Sequence, residues 1–158
     1  MLNQYKNYSY CRDTGNVTSK VNHRVLSPSL DLHYTLHVEG KKIKIKADRL
    51  CWMLGNMQTI PQGYKVLHRN MQQDDNRLRN LLVLPSSEYF TTVEAYRNLT
   101  ENLSLSLHPK DKYSYLIKYK HKGASKQEIF ADEIPARKRL VQLQLKMYKT
   151  LSKYCLFD

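Results

Sequence analysis

The sequence has little cysteine, and its three cysteines show no spacing that suits a metal. Cys11, Cys51 and Cys155 lie far apart, and none belongs to a CxxC or CxH pair. An odd, scattered set of thiols argues against a zinc site and for a reducing compartment. The sequence therefore disfavours a zinc-dependent class and predicts reduced thiols.

The sequence also lacks a long apolar segment. No run of about 18 apolar residues occurs, as a membrane-spanning helix would require. The first ten residues, MLNQYKNYSY, contain no apolar core of the length that a signal peptide needs. No segment near a terminus joins a strongly amphipathic pattern to a continuous basic face, which disfavours a membrane surface as partner. We therefore expect a cytoplasmic protein.

Acidic residues are few relative to basic ones. The 158 residues include 14 Asp and Glu against 26 Lys and Arg, which gives a formal net charge of +12. Hydrophobic residues make up 41%, enough for a folded core, and the length predicts one compact domain with an appendage. Because each cation that neutralises a phosphate releases counterions, nucleic acid is the expected partner. The alternative is a solvated, lysine-rich surface without a ligand.

Alternation of apolar and polar residues predicts hairpins in the first half of the chain. The segment YSYCRDTGNVTSK, residues 8–20, predicts one hairpin with its turn at Gly15. Residues 34–47 predict a second hairpin with one apolar face. Its other face carries a row of lysines, Lys42, Lys44 and Lys46. From Asp48 the pattern becomes helical.

The second half of the chain completes a predicted α+β fold. The segment NLLVL fits either a strand or a helix edge, and a helix is predicted from Ser86 to about Asn98. Residues 99–111, LTENLSLSLHPKD, predict a linker. Two strands joined by a basic turn follow, Tyr113–Lys120 and Gln127–Phe130. A long helix begins at about Glu133. Its apolar stripe is formed by Leu140, Leu143, Met147, Leu151 and Tyr154.

The segment YKVLHRNMQQDDNRLRNLLVLPSSEY, residues 64–89, joins a strand ending in histidine to a polar loop, an asparagine-rich bend and a helix. This order is that of the ββα-metal layout, in which the histidine is the general base that activates a water. One divalent cation, held by acidic, Asn or His side chains, stabilises the leaving oxygen. His68, Asn76 and Asn80 match this pattern.

The same segment resembles the HNH endonucleases of phages and prophages, whose motif is close to V-D-H-x-N-G-D-x-x-D-N-R-x-x-N-L. The matching positions are Val66, His68, Asn70, Asp75, Asn76, Arg77, Asn80 and Leu81. The upstream hairpin YCRDTGNVT and the segment Asp48–Trp52 extend the resemblance over residues 8 to about 98. The resemblance implies an HNH-like module over residues 1–98 with N-terminal β-hairpins. It also implies a phage-encoded protein in the cytoplasm of an infected bacterium.

The sequence departs from this family where the family holds its cation. The residue before the histidine, normally Asp or His, is Leu67, and the ligand on the following helix aligns with Tyr89 or with Glu88. Leucine has no lone pair, and tyrosine is a poor ligand for a hard divalent ion. We therefore expect no metal cofactor. Mg²⁺ or Mn²⁺ is expected only if a shifted set with Asp75 or Glu88 replaces the lost ligands.

The three motif residues also have a structural interpretation. Without a cation His68 would be a vestigial base, or a histidine that packs and hydrogen-bonds at a strand end. In the family the asparagines chiefly hold the loop and orient the histidine. Asn76 and Asn80 can make the same local bonds in a tight bend without any catalysis.

Residues 112–158 are similar to the Apetala-type DNA-binding unit that many phage HNH proteins carry after the nuclease module. That unit lays a small antiparallel sheet on one helix, and basic side chains of the sheet enter the major groove. Here Lys118, Lys120 and Lys122 share one predicted strand face, and FADEIPARKRL resembles the start of the helix. The usual tryptophan and glycine signals are missing.

Three functions are open from the sequence. The first is a phage-type, HNH-derived protein that binds DNA without cutting it. Its expected contacts are Lys42, Lys44, Lys46, Arg69, Arg77, Arg79, Lys118, Lys120, Lys122 and Lys126. The second is an active nicking or homing endonuclease with His68 as base and Asp75 or Glu88 as carboxylate. The third is a phage protein that binds a host nucleic-acid-processing machine, with Leu67 and Tyr89 in a packed surface.

Overall fold

The structure is a computed structural model that describes residues 2–111 and 113–154. Its main elements are β1 (Tyr8–Tyr10), β2 (Val17–Ser19), β3 (His33–Val38), β4 (Lys41–Lys46), α1 (Ala47–Asn56), β5 (Tyr64–His68), β6 (Leu81–Pro85), α2 (Ser86–Arg97), β7 (Ser104–Leu107), β8 (Tyr115–His121), β9 (Ala124–Phe130) and α3 (Glu133–Ser152). Three two-stranded antiparallel sheets pair β1 with β2, β3 with β4 and β5 with β6. A fourth sheet has the order β7-β8-β9.

The predicted α+β class, with small antiparallel sheets and a long C-terminal helix, is confirmed. The helix predicted from Ser86 is α2, and the one predicted from about Glu133 is α3. Within the described ranges, no helix has both the length and the apolar character that crossing a bilayer requires.

The β3–β4 hairpin follows from the predicted alternation. Tyr34, Leu36 and Val38 are buried on one face, and the three outward lysines of β4 are exposed on the other. Both residues of its two-residue turn have left-handed φ angles, 50° at Glu39 and 77° at Gly40. This geometry matches the twist of the two strands, so the hairpin closes tightly.

The β5–β6 hairpin carries the motif. The strand β5 ends at His68, residues 69–80 form the connection, and β6 begins at Leu81, so NLLVL is a strand and not a helix edge. Side chains alternate along β5, which places Val66 and His68 on one face and Leu67 on the other. The helix α2 follows β6 directly.

The chain divides into two compact units, Met1–Tyr89 and Phe90–Asp158, with the boundary inside α2. This division differs from the linker predicted over residues 99–111. A π-helical turn covers Asn98–Asn102, and the edge strand β7 follows it and pairs with β8. The alternation of leucine and serine explains the difference, because Leu105 packs against the core of the second unit while β7 hydrogen-bonds along its length.

The second unit has its own apolar core. The predicted stripe on α3 is confirmed for Leu143, Met147 and Leu151, which are buried together with Ile117 of β8 and Ala95 of α2. The remaining two members of the stripe, Leu140 and Tyr154, are half-buried. The sheet and α3 of this unit are therefore joined by burial of apolar surface.

The turn between β8 and β9 is shorter than the predicted basic turn over residues 121–126. It consists of Lys122 and Gly123, with φ angles of 52° and 77°. Two residues with left-handed φ suffice to join antiparallel strands, so His121 and Ala124 belong to the strands.

Two of the three cysteines lie within the described residues, and both are free thiols. Cys11 is exposed, and Cys51 is buried with its Sγ 3.6 Å from the Gly15 carbonyl oxygen. Burial raises the pKa of Cys51 to about 12. Cys155 lies outside the described residues.

Candidate nucleic-acid interface

His68 ends β5 with its side chain buried. Its Nε2 atom lies 3.2 Å from Asn76 Oδ1. Because an amide oxygen only accepts, Nε2 carries the hydrogen in this contact and is not available as a base there. Asn76 is buried as well, and its Nδ2 donates to the Asp74 backbone oxygen at 3.5 Å. The loop therefore holds the imidazole in one orientation.

Asn80 joins the two ends of the loop over residues 69–80. Its Oδ1 accepts the Asn70 backbone N–H at 2.9 Å, and its Nδ2 donates to Asn70 Oδ1 at 2.9 Å and to the Asp75 backbone oxygen at 2.7 Å. Its own carbonyl oxygen accepts the Arg69 N–H at 2.8 Å. Both polar atoms of the Asn80 side chain are thus engaged inside the loop.

The Asp75 carboxylate is also engaged inside the loop. Its Oδ1 accepts from Arg77 Nε at 2.7 Å, and its Oδ2 accepts from Asn70 Nδ2 at 2.8 Å. The hydrogen bonds from Arg77 are the main cause that lowers the pKa of Asp75 to about 2. Because the two charges neutralise each other at short range, this pair has little left to offer to a cation or a phosphate.

The β1–β2 hairpin supports the asparagine loop. The Tyr10 hydroxyl donates to the Asn76 carbonyl oxygen at 2.7 Å, and the Leu78 N–H donates to the Arg12 carbonyl oxygen at 3.0 Å. Gly15 has a φ of 78°, and a Cβ placed there would lie 2.7 Å from the Asn76 carbonyl carbon. The glycine of the upstream motif is therefore required both by its backbone conformation and by the close approach.

A cavity of about 90 Å³ opens beside His68. Its other polar lining residues come from distant parts of the chain: Asp31, Lys46, Asp48, Gln73 and Tyr89. Leu67 is 2% exposed and does not line the cavity, because it lies on the opposite face of β5. Of the two predicted replacement carboxylates, neither Asp75 nor Glu88 lines it.

The possible oxygen donors beside His68 are the carboxylates of Asp31 and Asp48 and the phenol of Tyr89. Among residues 2–111 and 113–154, no three His, Cys, Asp or Glu side chains are grouped as metal ligands. A Mg²⁺ or Mn²⁺ ion needs one or two carboxylates with further oxygen ligands in close order. Asp48 and Asp31 each bring a carboxylate to the cavity, and that of Asp31 is paired with Lys44, whereas Leu67 brings no donor and Tyr89 brings a phenol.

A second cavity, of about 200 Å³, shares Lys46, Asp48 and Tyr89 with the first and adds Arg49 and Lys65. Lys65 Nζ lies 5.7 Å from the centre of the Tyr89 ring, a cation–π distance. We name Lys46, Arg49 and Lys65 the basic wall. The sequence prediction missed Arg49, which follows the row of lysines in β4, and Lys65, which has no charged neighbour on its strand. The sequence signal that could have found them is their position next to a motif residue: Arg49 follows Asp48 at the start of α1, and Lys65 precedes Val66 in β5.

The other predicted contacts in the first unit differ in their surroundings. Lys44 Nζ lies 2.6 Å from Asp31 Oδ2, and this contact is the main cause that lowers the pKa of Asp31 to about 2. Arg77 is paired with Asp75. Three further residues are exposed or half-buried and line neither cavity: Lys42, Arg69 and Arg79. Of the predicted set, Lys46 alone lines these two cavities.

The predicted contacts of the second unit lie on the β8–β9 hairpin and are exposed: Lys118, Lys120, Lys122 and Lys126. The common face holds two of them, Lys118 and Lys120, because Lys122 lies in the turn after β8 has ended. Lys126 pairs with Tyr119 and so faces the other side of the sheet. The prediction of three lysines on one strand face is wrong in this respect.

Comparisons with family models, with curated proteins and with solved structures found no match to this chain. The resemblance to HNH endonucleases therefore stays a prediction that rests on the motif residues.

Proposed function

We propose that this chain is an HNH-derived protein that binds DNA through its phosphates and does not hydrolyse them. The observation that carries the proposal is the basic wall, in which three cations surround a cavity next to His68. Cations gathered at one depression, within a chain of net charge +12, suit a polyanion. The order of β5, the asparagine loop, β6 and α2 supports descent from the ββα-metal layout.

The loss of hydrolysis is proposed from the state of the motif side chains. The Nε2 hydrogen of His68 is directed to Asn76, and the Asp75 carboxylate is paired with Arg77. The neutral imidazole keeps a lone pair on Nδ1, so the proposal rests on the cation rather than on the base, because a base alone does not stabilise the leaving oxygen. The Asp75 carboxylate that a shifted set of metal ligands would need is already paired with Arg77, and Leu67 brings no donor.

The proposal is tested by fluorescence anisotropy of a labelled duplex over a series of salt concentrations. We expect the wild-type affinity to fall steeply with salt, with a log–log slope of about 0.9 per phosphate contact. Replacing Lys46, Arg49 and Lys65 together by alanine should lower that slope by about 2 to 3. The matched control replaces three exposed cations elsewhere, Lys6, Lys20 and Arg24.

Two results would contradict the proposal. One is equal loss of binding in the wall variant and the control variant, which would indicate a diffuse effect of charge. The other is no duplex binding even at low salt. Capture of a host protein that survives nuclease treatment would then favour the protein-partner function.

Hydrolysis is the second candidate, because Asp48 lines the same cavity as His68 and supplies a carboxylate that the motif does not predict. Supercoiled plasmid incubated with Mg²⁺ or Mn²⁺ separates the two functions. Binding without cutting predicts that the plasmid stays supercoiled. Nicking that disappears in both His68→Ala and Asp48→Asn would establish the second candidate.

A further inference from the structure

The second unit contains a larger cavity, of about 460 Å³, that none of the motif residues lines. Phe90, Glu94 and Arg97 of α2 form one side, and Lys120 and Lys122 of the β8–β9 hairpin form the other. A volume of this size lies in the range of small-ligand sites in proteins. It would admit one nucleotide but not a duplex.

Two side chains, Glu94 of α2 and Asn98 of the π-helical turn that follows it, fix the walls of this cavity. The carboxylate of Glu94 accepts the backbone N–H groups of Lys122 at 2.9 Å and Gly123 at 2.7 Å. One turn later, the Asn98 amide donates to the Lys120 carbonyl oxygen at 2.7 Å and accepts the Lys120 N–H at 2.9 Å. Residues four apart share a helix face, so α2 and the turn that continues it hold the hairpin at two consecutive points. The cavity is therefore preformed.

The lining combines an aromatic ring with positive charge. Phe90 is 59% exposed although its ring is large and apolar. Arg97, Lys120 and Lys122 are exposed beside it, against the single carboxylate of Glu94, whose oxygens accept the turn amides. An aromatic face stacks on nucleobases, and neighbouring cations bind the phosphates that link them.

We infer that this cavity binds one unpaired nucleotide, with its base stacked on Phe90 and its phosphate held by Arg97 and Lys120. The inference rests on the proposed function and deepens it, because it names unpaired nucleic acid as a ligand of the second unit. A base inside a duplex is already stacked on both faces and cannot reach a ring in a cavity. The Phe90 contribution should therefore be confined to single strands.

The test uses the full chain and measures anisotropy of a labelled single-stranded oligonucleotide, the same strand with abasic sites, and a duplex. We expect Phe90→Ala to weaken single-strand binding roughly 5- to 150-fold, the range for loss of one stacked base. Duplex and abasic affinities should change less than about twofold. Phe90→Trp should retain binding, whereas Phe90→Leu, which keeps apolar area without a ring, should not.

The matched control is Tyr113→Ala, which removes an aromatic ring that is 88% exposed and does not line the cavity.

A ribonucleotide strand of the same sequence distinguishes RNA from DNA as the source of the unpaired base. Phe90-dependent binding of either strand supports the inference. Equal single-strand affinity in Phe90→Ala and wild type would overturn the inference. Duplex binding by both proteins in that case would leave the proposed function intact. A parallel loss on single strand and duplex would also overturn the inference. If the wild-type chain bound single strands through Phe90 but did not bind the duplex, that result would count against the proposed function only.

Discussion

The two units place their polar side chains differently. In the first, the motif residues hydrogen-bond to one another: His68 contacts Asn76, Asn80 contacts Asn70, and Asp75 is paired with Arg77. In the second, Glu94 accepts backbone N–H groups and Glu128 is paired with Arg139, while the lysines of the β8–β9 hairpin stay exposed. The unit that carries the nuclease-like motif has a closed polar network, whereas the unit without it has an open basic cavity.

The hydrogen bonds inside the loop account for its asparagines without any ligand. Among the described residues, no buried side-chain nitrogen or oxygen lacks a hydrogen-bond partner. A loop whose polar atoms are satisfied internally is stable without a ligand, because leaving such atoms unpaired would cost about 1–3 kcal/mol each. The asparagines at 76 and 80 are thus explained by the loop that they hold.

The largest expected effect on stability is that of Gly15→Ala. A side chain there would require a strained left-handed backbone and would meet the Asn76 backbone at 2.7 Å. We expect a loss of about 2–4 kcal/mol in the free energy of unfolding, measured by urea titration. The control is Gly40→Ala, which has a similar φ of 77° but no neighbour within 4 Å, and should lose only about 1 kcal/mol. Equal losses would show that the close approach is unimportant.

Asn80→Ala should have the next largest effect. It removes the amide that serves Asn70 and Asp75, and we expect a loss of about 2–3 kcal/mol. The control is Asn102→Ala, whose exposed amide makes one hydrogen bond to the Arg97 carbonyl oxygen and should be worth about 0.5 kcal/mol or less. If Asn80→Ala left stability unchanged, the structural role of the loop network would be wrong.

Acid should weaken the first unit through Asp75. Its pKa is about 2 in the folded chain, against about 3.9 for an unperturbed aspartate. A lowered pKa stabilises the fold above about pH 4, and the contribution is lost as the pH falls toward 2. Unfolding free energies at pH 5, 4, 3 and 2 should fall more steeply for wild type than for Asp75→Asn. Parallel curves would contradict the assigned pairing with Arg77.

The smallest effect is expected for Lys44→Ala. The ion pair between Lys44 and Asp31 is exposed on both sides, so we expect a change in the free energy of unfolding that is close to the error of a urea titration and that vanishes at high salt. Lys44→Ala should also change the salt slope of DNA binding less than Lys46→Ala, because Lys46 belongs to the basic wall. If Lys44→Ala changed the salt slope more than Lys46→Ala, the interface would lie around Lys44 on the outer face of β4 and not at the basic wall.

Much of the fold was predictable because its signals are local. The alternation over residues 34–47 predicts the β3–β4 hairpin, and the three- and four-residue spacing predicts the buried stripe of α3. The predicted linker failed because its leucine and serine alternation is short, and only the neighbouring strand β8 makes it a strand. The predicted phosphate contacts differ in their surroundings, because Lys44 and Arg77 are paired with carboxylates.

Composition and spacing along the chain are enough to establish the surplus of positive charge, the strand and helix periods, and an aliphatic residue at position 67 beside a motif histidine. Packing in three dimensions brings Asp48 and Arg49 close to the motif and places Asp75 opposite Arg77. It also brings Phe90 and Lys120 to one cavity. The reason is that periodicity is set by neighbours along the chain, whereas a site is formed by residues that packing brings together from distant positions.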